Sequence, residues 1–158
     1  MKKLLSVVLV LLMGLCFLTG CGEEEPVKTS FKQGETATFD DVSYTVTKVK
    51  RSKGSEWESP KKGHEYVIVT LKIENKSDDV IAYNTFDWKM ENSKGQLDGE
   101  TFSTVNSDSA LNSGDLKSGG TKKGTLVFEE PKKDKKLKLH YYGSMLNDES
   151  QFHFVLNK

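Results

Sequence analysis

Net charge, a helical pattern and any catalytic signature are all missing from this chain, and each gap excludes a class of function. Lysine plus arginine number 23 and so do aspartate plus glutamate, so there is no clustered positive excess of the kind that holds nucleic acid. No apolar stripe of helical period runs through the body of the chain, which sets aside helix bundles and α/β folds. The sequence contains neither a Gly-x-Ser-x-Gly elbow nor a phosphate-cradling glycine loop. Its acidic pairs, Asp40-Asp41, Asp78-Asp79 and Asp148-Glu149, are adjacent turn residues without the spaced ligands of a calcium loop. Prolines number three and histidines three. The sequence therefore reads as a binder, not an enzyme, with no resident cofactor.

The first informative stretch is N-terminal. Lys2 and Lys3 precede an apolar run from Leu4 to Leu18, followed by Thr19, Gly20 and Cys21. The run is too short to span a hydrocarbon core of roughly 30 Å, and its basic start and small-residue exit are those of a signal peptide. Leu18-Thr19-Gly20-Cys21 resembles the lipobox of bacterial lipoproteins. That resemblance implies a signal peptide over 1–20, a covalent diacylglyceryl lipid on Cys21, and a home on the outer face of the bacterial cytoplasmic membrane. With Cys16 in the discarded segment and Cys21 lipidated, no thiol remains for a disulfide. Two acyl chains anchor stably where one does not. Residues 21–33, with Glu23, Glu24, Glu25 and Pro26, then read as an acidic flexible tether.

From Gly34 to the end, period-two alternation predicts short strands. Val42, Tyr44 and Val46 mark one face of a strand, and Val49 falls out of phase, which predicts a bulge. Over His64 to Asn75, Val67, Val69, Leu71 and Ile73 form one face and Tyr66, Ile68, Thr70 and Lys72 the other. Phe86, Trp88 and Met90 alternate before a turn at Asn92-Ser93-Lys94-Gly95. Thr101 to Thr121, rich in serine, threonine, asparagine and glycine, reads as a long excursion. Strands resume at Leu126 and Phe128, at Leu137, Leu139 and Tyr141, and at Phe152, Phe154 and Leu156. Seven or eight such strands predict an all-β domain over 34–158, an antiparallel β-sandwich.

A second resemblance supports that fold. Lys61-Lys62-Gly63-His64-Glu65-Tyr66-Val67-Ile68-Val69, Glu74-Asn75-Lys76-Ser77, Gly119-Gly120, Gly124-Thr125-Leu126-Val127-Phe128 and Pro131 resemble a family of bacterial extracytoplasmic domains of unknown function, common in lipoproteins. The family is similar in fold to the mycobacterial immunoprotective extracellular protein, an immunoglobulin-like sandwich. The resemblance implies packing positions only and carries no catalytic residue.

Three surface features follow from the strand pattern. Pairing Leu139 with Phe154 sets His140 opposite His153, and a strand from His64 running beside 136–142 would add His64, giving three imidazoles able to share a metal ion. The same outer face would gather Tyr66, Ile68, Tyr142 and Val155 as a partner-binding patch. Lys132-Lys133-Asp134-Lys135-Lys136 is the densest basic run, suited to an anionic polymer or to a merely solvated turn. The expected partners are the membrane, through the anchor, and an envelope protein or polymer, with a metal-binding lipoprotein or an accessory subunit of a transporter or enzyme as alternatives.

Overall fold

The computed structural model describes residues 27–156; the expected signal peptide, Cys21 and the first part of the tether lie outside the described residues. Strands β1 (Ser30–Lys32), β6 (Trp88–Glu91), β7 (Leu97–Gly99), β10 (Lys138–Tyr141) and β11 (Phe152–Val155) form one sheet, in the order β1-β11-β10-β6-β7. The facing sheet runs β2 (Thr36–Phe39), β3 (Val42–Ser52), β4 (His64–Asn75), β9 (Thr121–Pro131). A ribbon of β5 (Ile81–Tyr83) and β8 (Gly114–Leu116) stands apart from both. The result is an immunoglobulin-like β-sandwich whose named strands pair antiparallel, except where β1 lies parallel to β11. The eleven strands among the described residues exceed the expected seven or eight because several have only three residues.

The inner faces follow the alternation of the sequence. Val67, Val69, Leu71 and Ile73 of β4 are buried against Trp88, Met90, Leu139 and Phe154 of the other sheet. A shift of register between Val46 and Lys48 puts the bulge where Val49 fell out of phase, which keeps Val49 packed on the core. Tyr44 reaches across to Trp88 (ring centroids 5.7 Å) and Tyr141 (4.6 Å), and its hydroxyl shares a hydrogen bond of 2.8 Å with that of Tyr141. Burial pushes both phenols well above their ordinary pKa.

One boundary and the facing of one residue differ from expectation. The domain begins before Gly34, because β1 adds a strand and Phe31 packs edge-on against Phe152, with centroids 5.9 Å apart. A lone apolar residue in a polar segment gives no period, so β1 was invisible. Phe86 also leaves the core face: Asn84 caps a short 3₁₀ turn over Thr85–Asp87, its side chain accepting from the Phe86 N–H, and the ring points outward.

The long excursion is used as a cover. Leu111 is fully buried, and its N–H donates to the Thr125 carbonyl at 2.9 Å. That approach requires glycine at position 124, where a Cβ would lie 2.4 Å from the Leu111 Cα. Asn106 and Ser109 close over Thr125 with hydrogen bonds of 2.6 and 3.1 Å. The edge of β9 is thereby covered along Thr125 to Val127, where the Thr101 and Leu111 N–H groups donate to its carbonyls.

Candidate binding surfaces

The histidine expectation is half met. His140 pairs with His153 in the expected register, their ring centroids 5.1 Å apart. His64 does not join them: β4 pairs with β3 and β9, while β10 pairs with β6 and β11, so His64 belongs to the opposite sheet. The error came from placing β4 beside β10; β6 takes that position. Among the described residues no group of three or more histidine, cysteine, aspartate or glutamate side chains is arranged to hold a metal ion. Instead, His140 Nε2 lies 2.7 Å from the Glu91 carboxylate, which also accepts from Lys138 Nζ at 3.1 Å, and His140 Nδ1 meets Ser150 Oγ at 3.1 Å.

Electrostatics on this face disfavour charge on the imidazoles. Burial lowers the pKa of His140 more than Glu91 raises it, and His153 is lowered by burial and then by His140 and Lys138. Lys89 of β6 adds another cation, its Nζ standing 4.6 Å over the Tyr142 ring. A histidine whose folded pKa is depressed binds its proton more readily when unfolded, so it removes stability as pH falls below its ordinary value of 6.5. Replacing His153 by phenylalanine is therefore expected to flatten the loss of stability between about pH 6.5 and pH 5 in denaturant titrations. An unchanged slope would contradict a pKa depressed by burial and by the neighbouring cations.

The expected partner patch is divided and covered. Tyr66 and Ile68 lie on β4, whereas Tyr142 and Val155 belong to the other sheet side. Tyr66 is only 3% exposed because the β3–β4 loop folds over it, with its hydroxyl donating to Glu58 at 3.1 Å. Tyr142 is buried under Lys89 and the β10–β11 loop, where Asn147 Nδ2 donates to its carbonyl at 2.6 Å. Ile68 and Val155 are half-buried. The chain's own loops occupy the surface that a partner would need.

The basic run closes one end of the sandwich. Asp134 is buried within it, accepting from the N–H groups of Ser93 and Lys136, both at 2.9 Å. Arg51 donates to Glu65 at 2.7 Å and to the Asp134 carbonyl, and the Lys133 N–H also reaches Glu65, at 2.8 Å. Burial would raise Glu65, but these donors outweigh it and hold the carboxyl below its usual range. Beside them Glu130 is wholly buried, and neither of its carboxylate oxygens has a hydrogen-bond partner among the described residues. Burial pushes it up to about 7. The alternation through Leu126 and Phe128 places it on the inner face, a position at which sequence alone favours an apolar residue.

A feature that sequence reasoning missed lies along the side of the sandwich. Phe102, 83% exposed, stands with its ring centroid 6.3 Å from that of Phe86, itself 46% exposed. They rim a cleft of about 410 Å³ lined by Ser103, Asn106, Asn112 and Ser113, with half-buried Glu100 also in its wall. The Asn84 side chain that caps the Phe86 turn also accepts from Ser113 Oγ at 3.0 Å, which joins the two walls. Phe102 sat in a polar stretch with no period; its conspicuous trait, a large ring among serines and threonines, was the available signal.

The described residues thus define an all-β sandwich domain whose own loops cover Tyr66 and Tyr142 and whose open features are clefts in the surface. The chain belongs to the family described as domain of unknown function (DUF4352), whose model matches residues 31–151. It is similar to the yjhA protein of Bacillus subtilis, with 23% identity and a TM-score of 0.64 over 80% of this chain and 99% of that one. A proposed lipoprotein of the same organism, ycdA, gives 12% identity and a TM-score of 0.64 over 80% of this chain and 39% of its own. A conserved hypothetical protein from Bacillus anthracis gives 14% and 0.52, over 73% and 92%. No curated protein matches. These likenesses establish the fold.

Proposed function

We propose that the protein is a lipid-anchored extracytoplasmic binding domain, held by Cys21 on the outer face of the cytoplasmic membrane and acting on an envelope partner rather than as an enzyme. Kinship in fold with the mycobacterial immunoprotective extracellular protein belongs to the same reading. The observation that carries it is the exposed aromatic pair Phe86 and Phe102 at the rim of a surface cleft. Phe86 and Phe102 expose apolar area that a solitary domain gains nothing by leaving in water. A proposed lipoprotein among proteins of like fold supports the location, as does the lipobox at Leu18-Thr19-Gly20-Cys21. An accessory role beside a transporter or enzyme is one form such binding would take. A three-histidine metal centre is not part of the proposal, since His64 is on the other sheet.

Cys21→Ser is expected to leave an unprocessed precursor that takes up no lipid label and loses its membrane retention. Processing and labelling like wild type would overturn the anchor. Crosslinking in intact cells, followed by capture of the lipidated protein, is expected to recover an envelope component; recovery of none would overturn the binding role.

A further inference from the structure

The side cleft differs in its chemistry from the two larger basic hollows of the surface, and from a smaller one beside Phe39 and Tyr141 in its serine and asparagine lining. A neighbouring cleft of about 470 Å³ carries Lys48, Lys50 and Lys123, and the cleft at the sandwich end carries Arg51, Lys133 and Lys135. The cleft at Phe86 and Phe102 has no lysine or arginine among its lining residues. Its single carboxyl, Glu100, is held toward its neutral form by burial. A phosphorylated or acidic polymer would find no counter-charge there, and a cationic one would find no dependable anion. Charge complementarity calls for an uncharged ligand.

The remaining lining specifies which kind. Ser103, Ser113, Asn106 and Asn112 carry hydroxyl and amide groups. Ser113 Oγ already donates to Asn84 and Asn106 Nδ2 to Thr125, which holds these side chains in place and leaves their oxygens able to accept. The Ser103 hydroxyl and the Asn112 amide keep donor capacity. Sugar hydroxyls have the same dual character, whereas a lipid chain has none. The two phenyl rings meet at 69°, one largely and the other partly exposed, which presents flat apolar surface beside the polar groups. The axial C–H face of a pyranose is the chemical complement of such a ring. The volume lies within the ordinary range of small-ligand clefts.

The walls are also held in place before any ligand arrives. Glu58 accepts from the Thr104 N–H at 2.7 Å and from its hydroxyl at 2.6 Å, clipping the β3–β4 loop to the strand of chain that bears Phe102. Those bonds pull the Glu58 carboxyl down to about 2. Ordering of the loop is thus met by folding instead of by binding, which favours affinity.

We infer that the cleft between Phe86 and Phe102 binds an uncharged glycan strand by ring stacking and by hydrogen bonds from its serines and asparagines. The inference deepens the binding-domain reading and rests on it. Phe102 and Phe86 are the stacking residues, and the amide and hydroxyl groups fix the sugar's orientation.

The test is titration of the purified domain with chitotetraose, with cellotetraose and with polyphosphate, followed by calorimetry and by the backbone amide signals of the cleft. Expected is saturable binding of one or both oligosaccharides at millimolar concentration or below. Signal changes should centre on Ser103, Asn106, Asn112 and Ser113, with no competition from polyphosphate. Preference between the two sugars distinguishes an N-acetylated strand from a plain hexose chain. Phe102→Ala should weaken binding about tenfold, the loss of one stacked ring, with unchanged melting temperature because Phe102 is exposed. Lys50→Ala should change nothing. Absence of binding by both sugars, displacement by polyphosphate, or an intact Phe102→Ala affinity would overturn the assignment. So would concentration-dependent dimerisation abolished by Phe102→Ala, which would make the rings a contact between copies. Failure here removes the glycan alone; the broader binding role falls only if crosslinking in cells recovers no partner.

Discussion

Glu130→Leu is expected to stabilise the domain by about 3 kcal/mol at pH 8 while leaving it almost unchanged at pH 4. Glu130 is wholly buried between the sheets, its oxygens unpartnered among the described residues. Burial is the main reason that its carboxyl is pushed from 4.5 up to about 7, with Asp98 and Asp134 adding to the effect and Asn92 and Arg51 opposing it. The folded protein therefore keeps this proton over a range in which the unfolded chain has lost it. Above the unfolded value the folded state holds more protons, so stability falls as pH rises, and the penalty is complete once pH passes about 7. Below 4.5 both states are protonated and the penalty vanishes. Leucine fills a similar volume with no charge to desolvate, so its unfolding free energy should lack this decline. Equilibrium unfolding in urea between pH 4 and pH 8 measures both curves. Equal slopes for the two proteins would show that Glu130 ionises in the fold without penalty.

This slope opposes that of the histidine pair. Neutral His140 and His153 are favoured by the fold, so they remove stability as pH falls below 6.5. Glu130 removes it as pH rises toward 7. The two contributions run in opposite directions, so each substitution should raise stability on the side of the pH range that its own group penalises.

Trp88→Ala carries the other large expectation, a loss of about 3–5 kcal/mol. Trp88 is 1% exposed and lies in a cluster with Tyr141 at 4.7 Å, Tyr44 at 5.7 Å and Phe152 at 6.2 Å between ring centroids. Tyr44 comes from the opposite sheet, so the cluster is the junction between the two layers. Its loss leaves a cavity that three stiff rings cannot collapse into, and it disturbs the buried hydrogen bond between Tyr44 and Tyr141. A stable domain offers only about 5–15 kcal/mol in total, so the variant should be close to unfolding at physiological temperature. Trp57→Ala is the internal control: that ring is 92% exposed and its removal should cost less than about 0.5 kcal/mol. Thermal melts of the two variants should separate them clearly. A tolerant Trp88→Ala would mean that the two sheets are held mainly elsewhere.

The two tryptophans show what a local pattern can decide. Trp88 alternates with Met90 against Lys89 and Glu91, and that period alone places it inside. The β10–β11 register was legible for the same reason: only one offset pairs Leu139 with Phe154 and Tyr141 with Phe152, and it forces His140 onto His153. Trp57 has no period around it, so its exposure was not readable. Glu130 stands at an inner position by alternation, yet its burial without a partner depends on Pro131 to Lys136 folding back across the sandwich end.

Nearest-neighbour chemistry along the chain determined the all-β composition of the domain, the inner faces of its long strands and the bulge after Val46, and it carries the resemblance of Leu18-Thr19-Gly20-Cys21 to a lipobox. These depend on periods and motifs a few residues long. Only the tertiary structure decided that β6 rather than β4 lies beside β10, that loops cover Tyr66 and Tyr142, and that Phe86 and Phe102 meet across a cleft. The physical reason is that strand order depends on contacts between segments far apart in the chain. Alternation specifies which face of a strand is buried but not which strand it is buried against, and polar loops carry no period by which their resting place could be read.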